Sequence, residues 1–278
     1  YASQFAVTGL SAVHGAAQKL KSEIKQLAAF ALGARESALE LGAGAQGPEV
    51  RVKGTKKAIN YWGLANLVNV NNAAFPNDLD VTLNCRYVYR PPFKIPDIKR
   101  KYGNLTLTYA AQLHIAVIEV DRETFQPKIL AYAAVDDCGR VVNPAIVEGQ
   151  VYGATAHGIG AALMEHCVYD EAGNMLTSTF SDYTPITILN MPTILYGHLE
   201  SPSPFTFNGA KGMGEGGAAP LHTICAALQD ALYSEGIHIT NSFNNTETIF
   251  QAFRKNAAGG KDANVRVVRR PVARAAAR

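Results

Sequence analysis

The sequence lacks most of what would assign a 278-residue chain to a class at first sight. Its four cysteines, Cys85, Cys138, Cys167 and Cys225, include no Cys-x-x-Cys pair. That spacing argues against a zinc site, a cysteine-held iron–sulfur cluster or a disulfide scaffold within the chain. Scattered thiols with apolar neighbours fit a reducing, cytoplasmic setting. No apolar run reaches the ~18 residues that a membrane span needs, and no charged-then-apolar leader opens the chain. Charge of either sign is modest: 26 basic residues stand against 23 acidic ones, a net of +3. Much of that excess sits in the closing RVVRRPVARAAAR, so the body presents no basic groove for nucleic acid. Residues 257–278 read as a flexible basic tail. There is no internal repeat. The chain opens on Tyr1 rather than Met, which suggests processing, a split subunit or a truncated piece.

What is present alternates between helical and strand periodicity. Residues 9–33 carry apolar side chains at spacings of three and four, with lysines on the other face and Gly33 at the end, and predict a helix. PEVRVKGTKKAI reads as a short strand and turn, and YWGLANLVNVNNA as a second helix. β-branched and aromatic alternation predicts strands around 80–90, 105–120 and 127–136. DRETFQ joins the last two as a hairpin, and residues 91–104 form a Pro- and Lys-rich loop. Residues 143–167 predict a helix with Pro144 in its first turn. Gly149, Gly153, Gly158 and Gly160 weaken that helix, so something must approach it closely in compensation. CVYDEAGNMLTSTF predicts a hairpin, YTPITILNMPTI an extended stretch, and 218–235 and TETIFQAFRK two more helices. The order defines an α+β chain of two packed mixed subdomains, 1–140 and 141–256, with a ligand or cofactor at their seam.

The most unusual stretch is FNGAKGMGEGGAAP, in which Glu215 stands among glycines just before a helix. Glycines let backbone amides approach a ligand closely, and a following helix aims its N-terminal dipole at the loop. The spelling fits neither the P-loop nor the dinucleotide fingerprint. A carboxylate held there and partly desolvated is suited to take a proton near neutral pH; the plain alternative is a solvated acid at a helix start. Other residues carry less. Asp136 and Asp137, in VDDCGRVVNP, read as a turn that hydrogen-bonds its own backbone rather than as a metal pair. Cys138 reads as a buried thiol, with no histidine near it in sequence. Gln150 could reach a ligand through the gap the helix glycines leave. His14 reads as a surface or packing residue, His157 and His222 as core or capping residues, and Phe205, Phe207 and Tyr183–Pro185 as packing residues that could also line part of a substrate funnel. No metal-ligand set is visible.

Two stretches in tandem, VDDCGRVVNPAIVEGQVYGATAHGIGAALME and PSPFTFNGAKGMGEGG, closely resemble the molybdenum-binding subunit of the xanthine dehydrogenase family, on the side of the bacterial carbon-monoxide-dehydrogenase-like large subunits. The resemblance covers the C-terminal part of that subunit. It implies that Glu215, in the family's KGxGE loop, is the general base of a hydroxylation in which water supplies the oxygen. It implies that Lys211, Gly212 and Gly214 lie along a molybdopterin cofactor carrying molybdenum, in the cytosine dinucleotide form, and that Gln150 contacts its pterin side. It places Ala2, Ser3 and Gln4 at the segment that holds the pterin and its phosphate, although YASQ departs from the Gly-Ser-Arg of many relatives. The family's upstream half is missing. The resemblance therefore implies a second chain that completes the molybdenum site, an iron–sulfur subunit, an FAD subunit and a small-molecule substrate: an N-heteroaromatic, an aldehyde or carbon monoxide. Two other readings stand beside this one, a non-catalytic scaffold subunit of such a complex and a thiol hydrolase built on Cys138.

Overall fold

A computed structural model describes residues 3–258 except 72, 74, 76–78, 80, 105, 215 and 217. It contains helices and sheets in the mixed arrangement of an α+β chain and divides into two compact units. One holds Gln4–Leu107 and Pro204–Phe207; the other holds Tyr1–Ser3, Thr108–Ser203 and Asn208–Arg278. The units part at 107/108, whereas the sequence suggested 140. Among the described residues, the strands that begin after Leu107 pair within their own unit, and this moves the division upstream.

The Gln4–Leu107 unit is built on α1 (Gly9–Leu32). Gly33 ends this helix in the left-handed conformation, φ 60°, and the Ala34 N–H returns to the Ala29 carbonyl at 3.0 Å. Glycine adopts that conformation without a Cβ penalty, so the helix stops there. An antiparallel sheet β1 (Leu39–Gly44), β2 (Gly47–Val52), β3 (Ala58–Asn60) packs against α1 and α2 (Tyr61–Asn69). Asn60 caps α2 by accepting the Gly63 N–H at 2.7 Å. Leu27, Leu39, Val50 and Leu64 are fully buried between these elements, each contributing about 1.5–3 kcal/mol by leaving water. A two-stranded ribbon, β4 (Lys94–Asp97) and β5 (Tyr102–Asn104), lies inside the expected loop.

The strand expected at 80–90 does not form among its described residues. Its backbone is met by a side chain instead of a ladder: Glu23 of α1 accepts the Leu83 N–H and the Cys85 thiol, both at 3.1 Å.

The other unit is a three-stranded sheet, β6 (Ala111–Val120), β7 (Pro127–Asp137) and β8 (Ile194–His198), with β7 in the middle. β6 and β7 form the expected hairpin, whose turn is fixed by Asp121 Oδ1 accepting the Glu123 and Thr124 N–H groups. β8 joins β7 in parallel. The extended stretch expected at YTPITILNMPTI ends at Ile194, where β8 begins, and five residues with a glycine give little alternation to mark the strand. The expected 167–180 hairpin reduces to a turn with one bridge, Tyr169 to Met175.

On one face of this sheet lie α3 (Pro144–Leu163) and α5 (Ala218–Tyr233), with the single turn α4 (Phe180–Tyr183) between them in sequence, and α6 (Thr246–Ala257) closes the layer. Asn143 caps α3 through the Ile146 N–H, with Pro144 in the first turn. Tyr132, Val151, Ile159, Ile224, Leu228 and Ile249 make the core. Gly158 explains one of the unusual helix glycines: a Cβ there would meet Pro220 Cβ at 2.3 Å and the Leu221 nitrogen at 2.6 Å. The absence of a side chain lets the first turn of α5 rest directly on α3. Gly149 and Gly153 face open space.

Candidate active site

The two conspicuous motifs are physically joined. β7 ends at Asp137, and the chain then forms an antiparallel bridge between Gly139 and Ala210, inside the glycine loop. The Lys211 N–H donates to the Cys138 carbonyl at 2.7 Å, and the Gly209 carbonyl accepts the N–H groups of Arg140 at 3.2 Å and Ser203 at 2.9 Å. Gly139 has φ +67°, and a Cβ on it would lie 2.2 Å from the Gly209 oxygen. Only glycine serves there, which is why Asp-Cys-Gly and Gly-Ala-Lys-Gly occur together.

Side chains reinforce this clamp. Asp137 Oδ1 accepts the Gly139 N–H at 2.9 Å, the Ser201 N–H at 3.1 Å and the Lys211 ammonium at 3.4 Å, and its other oxygen accepts the Ser201 hydroxyl. Lys211 also donates to Ser201 Oγ at 2.8 Å. Burial alone would push the Asp137 carboxyl up. The Ser201 hydroxyl, the two backbone donors and the Lys211 charge outweigh it and hold the carboxyl well below the usual range. The expected self-bonded turn is present at Asp137, with Lys211 and Ser201 as partners that sequence proximity did not reveal. The Lys211 ammonium is turned inward to this network.

Beyond Lys211 the loop lies on the N-terminal segment. The Gly214 N–H donates to Ser3 Oγ at 2.9 Å. A Cβ on Gly212 would meet the Ser3 carbonyl at 2.6 Å, and one on Gly214 would lie 2.6 Å from Ser3 Oγ and 3.7 Å from Gln150 Oε1. Ser3, Gln150, Lys211, Gly212 and Gly214 are thus brought to one place. Gln4 belongs to the other unit. Ala2 and Glu215 lie outside the described residues.

Gln112 was not singled out by sequence. Its amide lies against Gly216, where a Cβ would be 2.6 Å from both terminal atoms. His114 Nε2 lies 3.3 Å from Gln112 Oε1, and Tyr132 Oη lies 3.0 Å from His114 Nδ1. Burial lowers the His114 pKa and favours the neutral ring. Of its two tautomers, the one protonated on Nε2 satisfies the chain: Tyr132 donates to Nδ1, and Nε2–H donates to the Gln112 carbonyl oxygen. This leaves the Gln112 NH2 as a donor beside Gly216. The signal in sequence was two polar residues on the core-facing side of an alternating strand.

Behind the clamp, Asp136 is buried and accepts the Tyr196 hydroxyl at 2.6 Å, with His198 Nδ1 2.9 Å from its other oxygen. Cys138 joins them, with ligand atoms of all three residues within 4.8 Å of one another. The fold therefore supplies the histidine that Cys138 lacked in sequence. Burial, with the Asp136 carboxylate beside it, pushes the thiol up to about 11. It stays protonated at neutral pH and is a poor nucleophile, which removes the support for the thiol hydrolase. His157 and His222 are exposed rather than in the core. His14 stacks on Phe207 with ring centroids 4.0 Å apart, the packing role expected for both.

The donor set fits a pterin-held metal. Hydroxyl, amide and backbone N–H groups surround a glycine loop, and the open flank of α3 at Gly149 and Gly153 leaves room beside Gln150. A dithiolene cofactor brings its own sulfur ligands, so the protein supplies hydrogen bonds and space.

Fold and loop together define a molybdopterin-binding chain, and the comparisons agree. The chain belongs to the molybdopterin cofactor-binding domain family, whose model matches residues 1–192. It is 42% identical over 121 residues to the nicotine 6-hydroxylase large subunit of Paenarthrobacter nicotinovorans, covering 43% of this chain and 15% of that protein. It is 28% identical over 240 residues to the carbon monoxide dehydrogenase large chain of Hydrogenophaga pseudoflava, covering 85% of this chain and 27% of that one. The crystal structure of quinoline 2-oxidoreductase from Pseudomonas putida 86 superposes with a TM-score of 0.73 at 32% identity, over 92% of this chain and 30% of that chain. By name these relatives are a hydroxylase, a dehydrogenase and an oxidoreductase, and the chain spans less than a third of their length. No helix among the described residues is long and apolar enough to cross a membrane.

Proposed function

We propose that this chain forms the base-bearing wall of a molybdenum hydroxylase site, with Glu215 as the general base. The observation that carries the reading is the clamp: the loop is fixed from Gly209 to Gly214, by β7 on one side and Ser3 on the other, immediately before Glu215. Such anchoring is what a proton acceptor needs, since a base works only within hydrogen-bond reach of its proton. The molybdenum–pterin group, when bound, supplies the two-electron redox chemistry. The chain supplies the rest. Ser3 and the Gly212 and Gly214 backbone line the cofactor, with Ala2 contributing from the same segment. Gln150 hydrogen-bonds its pterin side, and Lys211 holds the loop in register. The Glu215 carboxylate takes the proton of the attacking water-derived oxygen.

The relatives named for nicotine and quinoline support an N-heteroaromatic substrate, ahead of an aldehyde or carbon monoxide. A second polypeptide, or a further stretch of the same one, completes the site. Electrons leave through iron–sulfur and FAD subunits, and the cofactor is the cytosine dinucleotide form. The test is Glu215→Gln in the assembled enzyme. Turnover is expected to fall by at least about 100-fold, the scale of general base catalysis, with molybdenum content and assembly unchanged. Unchanged turnover would remove the catalytic role and leave the chain a scaffold.

A further inference from the structure

A series of hydrogen-bonded side chains runs from the core to the loop that carries Glu215, all within one unit. The Tyr132 hydroxyl is buried, with Thr155 of α3 and Thr223 of α5 as hydrogen-bond partners. Burial pushes its pKa up to about 12, so its proton stays on at neutral pH. On the neighbouring strand, His114 Nδ1 lies 3.0 Å from that hydroxyl, and His114 Nε2 lies 3.3 Å from Gln112 Oε1. A carbonyl oxygen only accepts, so Nε2 carries the ring proton and Nδ1 accepts from Tyr132. The order of donors is therefore set: Tyr132 to His114 to Gln112. With its oxygen engaged by His114, the Gln112 amide has its NH2 as the other branch, beside Gly216. Gly216 makes room for it: a Cβ there would lie 2.6 Å from both terminal atoms of the amide and 3.0 Å from its carbon. β6, β7, α3 and α5 all contribute, so the amide is oriented by the core and not by the loop it touches.

We infer that Gln112 is a positioning residue for the base: its NH2 donates to the Glu215 carboxylate and holds that carboxylate ionised and in place. The inference rests on the reading of Glu215 as the general base. Covalent geometry puts the two within reach. Consecutive Cα atoms are about 3.8 Å apart, and Glu215 directly precedes the glycine that the amide touches. The chemistry agrees. Taking water away from a carboxylate raises its pKa, and a donor to the ionised form opposes that rise. A base works best with its pKa near the operating pH, so the two effects must be balanced. A neutral amide opposes the rise without a full positive charge, which would hold the carboxylate as an ion partner and weaken it as a base. The loop's own cation is committed elsewhere, since the Lys211 ammonium donates to Asp137 and Ser201.

The experiment is the pH dependence of kcat/KM in the assembled, molybdenum-loaded enzyme, compared for wild type, Gln112→Leu, Gln112→Glu, Tyr132→Phe and Glu215→Gln. The acid limb reports the base of the free enzyme. Gln112→Leu should move that limb up by about one pH unit, the size of one hydrogen bond to a charged group. Gln112→Glu keeps the shape but sets a second carboxylate beside the first, and should move the limb further than Leu does. Tyr132→Phe releases the His114 tautomer and should move it the same way by less. If Gln112 only packed against the start of α5, the same-shaped Glu would be the milder change and the limb would stay where it is. An unmoved limb in Gln112→Leu or Tyr132→Phe, or a Glu variant milder than Leu, overturns the inference. A crystal structure of the loaded enzyme is the second readout. The Gln112 amide nitrogen should lie about 3 Å from a Glu215 oxygen, and a separation above about 4 Å from both oxygens would also sink the proposal. Glu215→Gln separates the two readings. Unchanged turnover in that variant removes the base, and this inference with it. Lost turnover there, with the limb unmoved in Gln112→Leu, removes the positioning role alone.

Discussion

Replacing Asp137 by Asn tests the clamp that fixes the glycine loop. The Asp137 side chain is 16% exposed and the Lys211 side chain 11%. The carboxylate accepts from two backbone N–H groups, the Ser201 hydroxyl and the Lys211 ammonium. Asparagine keeps the shape, loses the charge and points an NH2 at a ring of donors. Hydrogen bonds to charged groups are worth about 1.5–3 kcal/mol, and stripping a buried ion of its partner costs about 3–5 kcal/mol. With some solvent access, a loss of about 3 kcal/mol at pH 7 is expected by urea unfolding. The pH dependence identifies the cause. Asp137 is depressed in the folded state, so the unfolded chain takes up the proton first, and the stabilisation is present above the unfolded pKa of about 3.9 and lost as pH falls below it. At pH 3 the gap between wild type and variant should narrow by about 1.3 kcal/mol. Asp121 and Asp170 are also depressed but titrate alike in both proteins and cancel. A gap below about 0.5 kcal/mol at pH 7, the ordinary scatter of surface substitutions, or a gap that does not narrow at pH 3, refutes the assignment.

Gly158→Val drives a side chain into the Pro220–Leu221 backbone and should cost about 2–3 kcal/mol in urea unfolding; Gly149→Ala on the open flank of the same helix should gain up to about 1 kcal/mol. Iodoacetamide at pH 8, followed by peptide mass spectrometry, should modify the exposed Cys167 at least about 100-fold faster than the buried Cys138, whose thiol sits at about 11. Gln112→Leu keeps the contact with Gly216 but removes the amide donor, and should lower turnover by about tenfold, the worth of one hydrogen bond, with molybdenum content unchanged.

Long, strongly patterned elements were readable from sequence. α1 declared its face and its Gly33 stop, and the β6–β7 hairpin declared its alternation and its Asp121 turn. What escaped notice was whatever depends on distant partners. Leu83 and Cys85 sit in a stretch with strand periodicity, but a carboxylate on α1 takes the place of the ladder. β8 is too short to show a period and exists because β7 has a free edge to offer. In the site, the glycines, Lys211 and Gln150 were conspicuous by spelling. Their bracing residues were not: Ser201 and His198 lie more than sixty residues from Asp137 and Asp136, and Gln112 looked like any polar residue on a strand.

The parallel pairing of β7 with β8 has a kinetic consequence. Tyr132 meets Ile194 and Gly139 meets Ala210 only after more than sixty intervening residues have been looped out. Such closures lose chain entropy before any contact repays it. The β6–β7 hairpin needs no such closure and should be native-like early, while the loop that carries Glu215 is seated late. A chain stalled in folding would then hold an ordered hairpin with an unmade site, and cofactor insertion would act as a checkpoint on the last step of folding rather than on the first.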